Sequence, residues 1–258
     1  MLEVRTNRRL LRRSCEWPGN AILYLMSIAA NIASTKERIA AAARRSARSA
    51  DEILLLAVSK TQPATRIREA YEDGQRLFGE NRVQELDRKI DALRDLHAAE
   101  WHMIGHLQTN KATRTVELFR AVDSIDSLKL AQKLDAAAQM LSRKLDVLIE
   151  INVGGEATKS GLAPNSPALE ELLMAAPRLE ALAFRGLMTV PPFTEDPEGA
   201  RPYFRMLHKL RDTIAARKLP AVAMDELSMG MSHDFEVAIE EGSTCVRVGT
   251  AIFGERSI

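Results

Sequence analysis

The sequence predicts an α/β protein folded as a single (β/α)8 barrel, and three observations lead to this fold class. Strand-like and helix-like segments alternate along the chain, as expected of parallel strands joined by helical crossovers. About eight strand candidates occur, the number in a closed barrel, and the 258 residues match the length of a typical single barrel. An open, doubly wound sheet is the alternative, but no Gly-x-Gly-x-x-Gly follows the first strand to support a Rossmann fold.

Each element is predicted from its local pattern, in chain order. Residues 26 to about 49 repeat Ala and Arg with helical spacing, which predicts an extra helix ahead of the barrel. The strand candidates are short apolar runs bounded by breakers: 53–59, 77–79, 101–105, 121–125, 146–153, 183–190, 226–229 and 245–252. The helical patterns between them are 65–73, 82–93, 111–119, 127–141, 166–175, 197–217 and 234–241.

Start and stop signals support these helices. Ser166-Pro167 and Asp196-Pro197 each pair an N-cap residue with a proline suited to the first turn. Gly74 and Gly242 stand where helices are expected to end.

Residues 1–25 differ from the rest of the chain, being rich in Arg and poor in apolar periodicity. Three interpretations are open: a targeting peptide, a basic tail for an anionic partner, or an extension upstream of a natural start at Met26. The clean helical pattern that opens at Met26 favours the third. We therefore expect 1–25 to be disordered or not native, and 26–258 to form the barrel.

Composition excludes several classes of function. The net charge of +1 gives no global field for nucleic acid or an anionic membrane, and no apolar run is long enough to span a bilayer. The two cysteines, Cys15 and Cys245, lie far apart in different contexts. A disulfide framework is therefore not expected. We expect the protein to lie in a reducing compartment, the cytoplasm.

Lys60 follows the first apolar strand directly and precedes the breaker Thr61-Gln62-Pro63. An amine at the carboxyl end of a barrel strand lies on the face where such folds carry out chemistry. It can form a Schiff base with an aldehyde if its surroundings keep it partly deprotonated. The alternative is a lysine that only solvates a strand end.

The last two strands end in small and hydroxyl residues. Ser228-Met229-Gly230-Met231-Ser232 follows strand seven, and Gly249-Thr250 lies in the eighth segment. Barrels commonly bind phosphate at this place, with main-chain N–H groups and hydroxyls as donors. The alternative is an ordinary turn and helix cap.

Arg247 is the unusual residue of strand eight. Side chains alternate along a strand, so Arg247 and Gly249 face the side opposite to Val246 and Val248. A barrel interior does not favour an unpaired guanidinium, which suggests a ligand with an acceptor atom. The alternative is a buried ion pair with Glu150 or another acid.

Other site classes lack support. His102 and His106 are poorly spaced for a metal on a strand, and no zinc motif occurs. No Gly-x-Ser-x-Gly elbow supports a Ser-His-Asp triad.

Several long motifs together resemble one family. They are Ala57-Val58-Ser59-Lys60, Phe78-Gly79-Glu80-Asn81, the segment 101–111, Gly186-Leu187-Met188-Thr189, the segment 228–232 and the segment 247–254. In them the chain resembles the pyridoxal phosphate homeostasis protein family, which is similar to the N-terminal barrel of alanine racemase. The resemblance extends from Met26 to the C-terminus, and it implies pyridoxal 5′-phosphate as the cofactor.

The resemblance also implies a role for each matched position. Lys60 corresponds to the lysine that carries the cofactor as a Schiff base, and Arg247 to the arginine that faces the pyridine nitrogen. The segments that hold the phosphate contain Ser228, Gly230, Ser232, Gly249 and Thr250. Asn81 and Met188 lie in segments near the cofactor.

We expect a cofactor carrier or regulator without strong catalytic activity. An arginine at the ring nitrogen favours unprotonated pyridine, a poorer electron sink than pyridinium. The chain leaves no room for the second domain that supplies an opposing tyrosine in racemases of this fold, and Tyr24, Tyr71 and Tyr203 lie away from the predicted strand ends. The alternative is a racemase-like enzyme acting on a small amino acid. We expect a monomer, with apo-enzymes as recipients of the cofactor.

Overall fold

Eight parallel strands close into a barrel in the order in which they occur along the chain. The computed structural model describes residues 27–255. Each strand pairs with the next, and the eighth returns to pair with the first, which confirms the predicted (β/α)8 barrel. The strands are β1 Leu54–Val58, β2 Leu77–Glu80, β3 Glu100–Met103, β4 Ala121–Ile125, β5 Leu145–Glu150, β6 Leu182–Met188, β7 Val222–Met231 and β8 Cys245–Val248.

Helices follow the strands and form the outer layer. Among the described residues they are α1 Ile28–Arg45, α2 Ala64–Glu72, α3 Val83–Lys89, α4 Ala112–Leu118, α5 Leu128–Met140, α6 Pro167–Ala175, α7 Arg201–Ala216, α8 Phe235–Glu240 and α9 Thr250–Phe253. Short 3₁₀ turns flank several of them, including Pro197–Ala200 immediately before α7. Because helices cover the barrel, strands such as β4 are buried at every residue.

The predicted extra helix is present as α1. The Ser27 hydroxyl caps it by accepting a hydrogen bond from the Ala30 N–H, and Ile28, Ile32 and Ile39 form its buried face. The predicted extension 1–25 lies outside the described residues. Within residues 27–255, no helix combines the length and the apolar character needed to cross a bilayer.

The prediction for the eighth strand was too long. We expected a strand over 245–252, but β8 ends at Val248 and residues 250–253 form the short helix α9. In contrast, β7 extends well before the predicted start at residue 226. Short apolar runs do not distinguish strand from helix by periodicity, which accounts for the first error.

One glycine is required by the barrel itself. A Cβ at Gly186 in β6 would lie 1.9 Å from the Glu226 carbonyl oxygen in β7. Any side chain would therefore push these two strands apart. The approach occurs beside an irregularity in β6–β7 pairing, two residues before β6 ends at Met188.

Candidate functional site

A cavity of about 340 Å³ opens at the carboxyl ends of the strands. This is the face of a barrel on which ligands bind. The structure places six of the predicted site residues on its wall: Lys60, Asn81, Ser232, Arg247, Gly249 and Thr250.

Lys60 reaches this cavity from the turn after β1. Side chains alternate along the strand, so Lys60 continues the inward-facing row of Leu56 and Val58, whereas Ser59 faces the helix layer and is buried there. The Lys60 side chain is half-buried. An amine is thus placed on the wall of a partly enclosed site.

Arg247 lies inside the barrel with only 3% of its surface exposed. It donates hydrogen bonds of 2.7 Å to the Ser228 hydroxyl and 2.7 Å to the Thr189 carbonyl. Burial lowers the pKa of the Arg247 guanidinium, but arginine remains protonated in proteins. Across residues 27–255 no carboxylate forms an ion pair with it, so the alternative of a pair with Glu150 is not what the structure shows.

Ser232, Gly249 and Thr250 form one corner of the cavity. The Ser232 hydroxyl accepts hydrogen bonds from the main-chain N–H of Gly249, at 3.2 Å, and of Ala251, at 3.3 Å. Thr250 begins α9 with its side chain exposed. Hydroxyls and main-chain N–H groups therefore meet at the place predicted for the phosphate.

Three further predicted residues lie behind this wall instead of on it. Ser228 is fully buried against Arg247, and Met188 is fully buried at the end of β6. Gly230 has a φ of +95°, and a Cβ there would lie 2.6 Å from the Ala238 Cβ, so glycine allows the end of β7 to pack on α8. Their predicted roles at the cofactor stay predictions.

The wall of the cavity carries cations and neutral donors. None of the described residues that line it is Asp or Glu. Carboxylates lie behind the wall: Asp123, Asp234 and Glu150 all act on the charge of Arg247. The pKa of Glu150 is raised to about 7 by burial and the charge of Asp126, partly offset by Arg247 and His106. This donor set suits a ligand that is anionic and rich in acceptor atoms.

Cys245 shares the interior row of β8 with Arg247. Burial raises the pKa of its thiol to about 12, so the reactive thiolate is disfavoured. This environment is that of a packed core thiol.

The two histidines of the β3 segment each face a carboxylate. His102 Nδ1 lies 3.0 Å from Asp123 Oδ1, and His106 Nδ1 lies 3.0 Å from Asp126 Oδ2. No cluster of three or more metal-ligating side chains occurs in the part of the chain that the structure describes.

Comparison with known proteins agrees with this geometry. A sequence model of the alanine racemase N-terminal domain matches residues 27–257. The pyridoxal phosphate homeostasis protein of Aquifex aeolicus is 47% identical over 232 residues, which cover 90% of this chain and 99% of the relative. The chain belongs to the pyridoxal phosphate homeostasis protein family.

Other relatives support the same assignment. The Escherichia coli K12 protein of that name is 44% identical over 231 residues, covering 89% of this chain and 97% of the relative. The solved structure of PipY from Synechococcus elongatus PCC7942 with PLP bound is 36% identical, with a TM-score of 0.74. The match covers 88% of this chain and all of that one. The family resemblance predicted from the sequence motifs is therefore confirmed.

Sequence reasoning missed some of the residues that line this cavity. Ile104, Val190 and His233 also line the cavity, and the ring of Phe193 stands 5.5 Å from that of His233. The inward position of Ile104 follows from strand alternation and could have been predicted. The positions of Val190 and His233 depend on loops after β6 and β7, for which the sequence carries no comparable rule.

Proposed function

We propose that this chain binds pyridoxal 5′-phosphate in the cavity at the carboxyl ends of the strands and acts in the homeostasis of that cofactor. The proposal is supported by relatives named for this role, which match almost the whole chain at 44–47% identity, and by a structural neighbour with PLP bound. The observation that carries it is that Lys60 and Arg247 line one cavity together with hydroxyl and N–H donors.

The residues present fit the chemistry of this cofactor. Its phosphate needs several donors and no opposing carboxylate, as at the corner formed by Ser232, Gly249 and Thr250. Its aldehyde needs a primary amine, and its ring nitrogen offers an acceptor. Lys60 and Arg247 supply the matching groups from β1 and β8, which are neighbours in the barrel.

Lys60 would hold the aldehyde covalently as a Schiff base: its nitrogen would replace the aldehyde oxygen, which would leave as water. A lysine amine is a side-chain group that can bond covalently to an aldehyde, and Lys60 lies half-buried on the cavity wall. The corner formed by Ser232, Gly249 and Thr250 would orient the phosphate. Covalent attachment of the cofactor and recognition of its phosphate would thus come from different parts of the barrel.

The position of Arg247 favours a protein that binds the cofactor without catalysing a reaction with it. Pyridoxal phosphate supplies an electron sink that stabilises carbanions. The Arg247 guanidinium, fixed by Ser228 and Thr189, cannot accept a proton and would keep a ring nitrogen beside it unprotonated. In residues 27–255 the tyrosines, Tyr71 and Tyr203, lie in α2 and α7 and do not line the cavity.

The test is covalent trapping of the cofactor. Wild-type protein mixed with pyridoxal 5′-phosphate is expected to show a visible absorbance band and, after borohydride, a stable adduct on the peptide that contains Lys60. Lys60→Ala should lose both, because the only proposed nucleophile is gone. Lys129→Ala, an exposed lysine on α5, should keep both.

The racemase-like alternative predicts a different result. Steady racemisation of an amino acid by the purified protein, abolished by Lys60→Ala and retained by Lys129→Ala, would favour an enzyme. A colourless wild-type protein without a reducible adduct would contradict cofactor binding in either form.

A further inference from the structure

A buried ionic cluster lies directly behind the turn that carries Lys60. Glu80 at the end of β2 has a side chain with 0% exposure, and Lys89 at the end of α3 has one with 11%. Lys89 Nζ lies 2.8 Å from Glu80 Oε1 and 3.4 Å from Glu85 Oε1. These three charged groups face the helix layer and do not line the cavity.

Lys89 also binds the main chain on both sides of Lys60. Its ammonium donates to the carbonyl of Ser59 at 3.1 Å and to that of Gln62 at 3.2 Å. The Ser59 carbonyl belongs to the peptide bond whose nitrogen is that of Lys60. One ammonium therefore ties down the two ends of the turn from which the amine projects.

The two carboxylates complete this hold on the turn. Glu80 Oε1 accepts a hydrogen bond of 2.5 Å from the Ser59 hydroxyl, and Glu85 Oε1 accepts one from the main-chain N–H of Thr61. Thr61 has a φ of +64°, a left-handed conformation that costs a β-branched residue on the order of 1 kcal/mol. Such a conformation persists only where neighbouring contacts enforce it.

Stability alone is a weak reason for this cluster. Burying an ion pair costs desolvation, and apolar side chains of similar volume often serve folding as well or better. Here burial raises the pKa of Glu80 despite the charge and hydrogen bond of Lys89 and the Ser59 hydroxyl, so part of the cost remains. What apolar residues could not do is bind the carbonyls and N–H groups of the turn.

We propose that Glu80, Glu85 and Lys89 are positioning residues that hold the Ser59–Gln62 turn and so aim the Lys60 amine at the aldehyde of the bound cofactor. This inference rests on the proposed function. The cluster touches neither the cavity nor the cofactor's phosphate corner, so it acts on the attachment step and not on recognition. Small errors in the placement of a reacting group can cost about 100-fold in rate.

Two ligands separate attachment from recognition. Pyridoxal 5′-phosphate can react with Lys60, whereas pyridoxine 5′-phosphate carries an alcohol in place of the aldehyde and can only bind. In full-length Lys89→Met, we expect the rate of adduct formation, measured by timed borohydride trapping and mass spectrometry, to fall about tenfold or more. The affinity for pyridoxine 5′-phosphate, measured by calorimetry, should stay within about twofold of wild type.

Arg88→Met is the matched control. Arg88 is the preceding residue of α3, is exposed, and bonds to the Gln84 carbonyl of its own helix, so both readouts should be those of wild type. The double variant Glu80→Gln with Lys89→Met leaves no buried unpaired carboxylate and should show the same selective loss. If Lys89→Met does not fold, Glu85→Ala removes only the contacts of the half-buried Glu85 and should slow trapping in the same selective way.

Three results would overturn the proposal. Equal trapping rates in Lys89→Met and Arg88→Met would show that the cluster does not position the amine. A parallel loss of trapping and of pyridoxine 5′-phosphate affinity would show a merely structural role. If Lys89→Met does not fold and Glu85→Ala traps the cofactor at the wild-type rate, positioning of the amine by the cluster is likewise excluded. Failure of the proposed function is distinct, because wild-type protein would then form no adduct at Lys60.

Discussion

Arg247 is one buried side chain that both links strands and lines the cavity. Its guanidinium bridges three strands, since Arg247 is in β8, Ser228 is in β7, and Thr189 follows β6. The same group forms part of the cavity wall. Its orientation is thus set by the barrel before any ligand binds.

Replacing this arginine should weaken both properties. In Arg247→Gln we expect a loss of about 1–3 kcal/mol in the free energy of unfolding, because the Thr189 carbonyl and Ser228 hydroxyl lose their donor. Retention of pyridoxal 5′-phosphate should also fall. Urea denaturation and a fluorescence titration with the cofactor measure the two effects.

Ser228→Ala is the comparison for that variant. It removes one hydrogen bond and leaves the guanidinium in place, so its stability cost should be smaller and its cofactor retention close to wild type. If Ser228→Ala releases the cofactor as readily as Arg247→Gln does, Ser228 contacts the phosphate as the family resemblance implies.

Single residues differ in how far the sequence predicts them. Lys60 and Arg247 were predictable because strand alternation fixes which side chains face the interior. The cluster of Glu80 and Lys89 was not, because it depends on how α3 packs against β2. Glu80 and Glu85 could be expected to be charge partners, but the sequence does not show that their partner also binds the turn.

At the scale of elements, helix α1 joins the beginning of the described chain to its end. It packs on α8 and α9, where Asn31 Nδ2 donates a 2.8 Å hydrogen bond to the Ile252 carbonyl. Two ion pairs, Arg38–Glu236 and Arg45–Glu240, lie at the edges of the contact. The interface therefore has an apolar centre and a charged rim.

The centre of this interface should matter more than its rim. Ile32 is 3% exposed, so Ile32→Ala should lower the free energy of unfolding by about 2–5 kcal/mol through lost burial and a cavity. Arg45→Ala removes an ion pair of the rim whose arginine is exposed, and should cost about 1 kcal/mol or less. Urea unfolding of both variants measures the difference; equal costs would mean that α1 is held by its charges.

The boundary between β8 and α9 marks the limit of prediction for elements. Residues 245–252 read as one apolar strand, yet the chain turns at Gly249 and begins a helix at Thr250. The turn is fixed by tertiary hydrogen bonds from Gly249 and Ala251 to Ser232. The local sequence pattern does not predict this contact, because Ser232 lies in another loop.

The whole barrel was the most predictable feature. Alternation of strand and helix, repeated eight times, leaves few topologies once parallel strands and short connections are assumed. The site followed from the fold, because parallel strands bring their carboxyl ends to one face. The lengths of strands and the packing between layers required the three-dimensional structure.

The buried carboxyl of Glu150 should make the stability of the whole barrel depend on pH. Glu150, near Arg247 at the upper end of β5, has a buried Oε2 without a hydrogen-bond partner. Its pKa is raised by burial to about 7, from 4.5. The folded state then binds a proton more tightly than the unfolded one, so the stabilisation is complete below pH about 4.5 and is lost as pH rises through about 7.

Glu150→Gln should remove this loss. At pH 8.5 we expect the variant to be more stable than wild type by on the order of 2 kcal/mol, allowing for the partial exposure of the residue, and the two to converge near pH 4.5. Urea denaturation across pH 4.5–8.5 measures it, with the exposed Glu72→Gln as control. A variant whose stability parallels wild type at every pH would contradict the assignment.

The contact of α1 with α8 and α9 has a consequence for biosynthesis. These partners are the last helices of the barrel to be translated, and β1 likewise pairs with β8. While the chain is still growing on the ribosome, α1 can pack only on the early helix α2, and the part of its apolar face that contacts α8 and α9 has no native surface to cover it. The first helix of the described residues is thus among the last to dock completely, and until then part of its apolar face stays exposed.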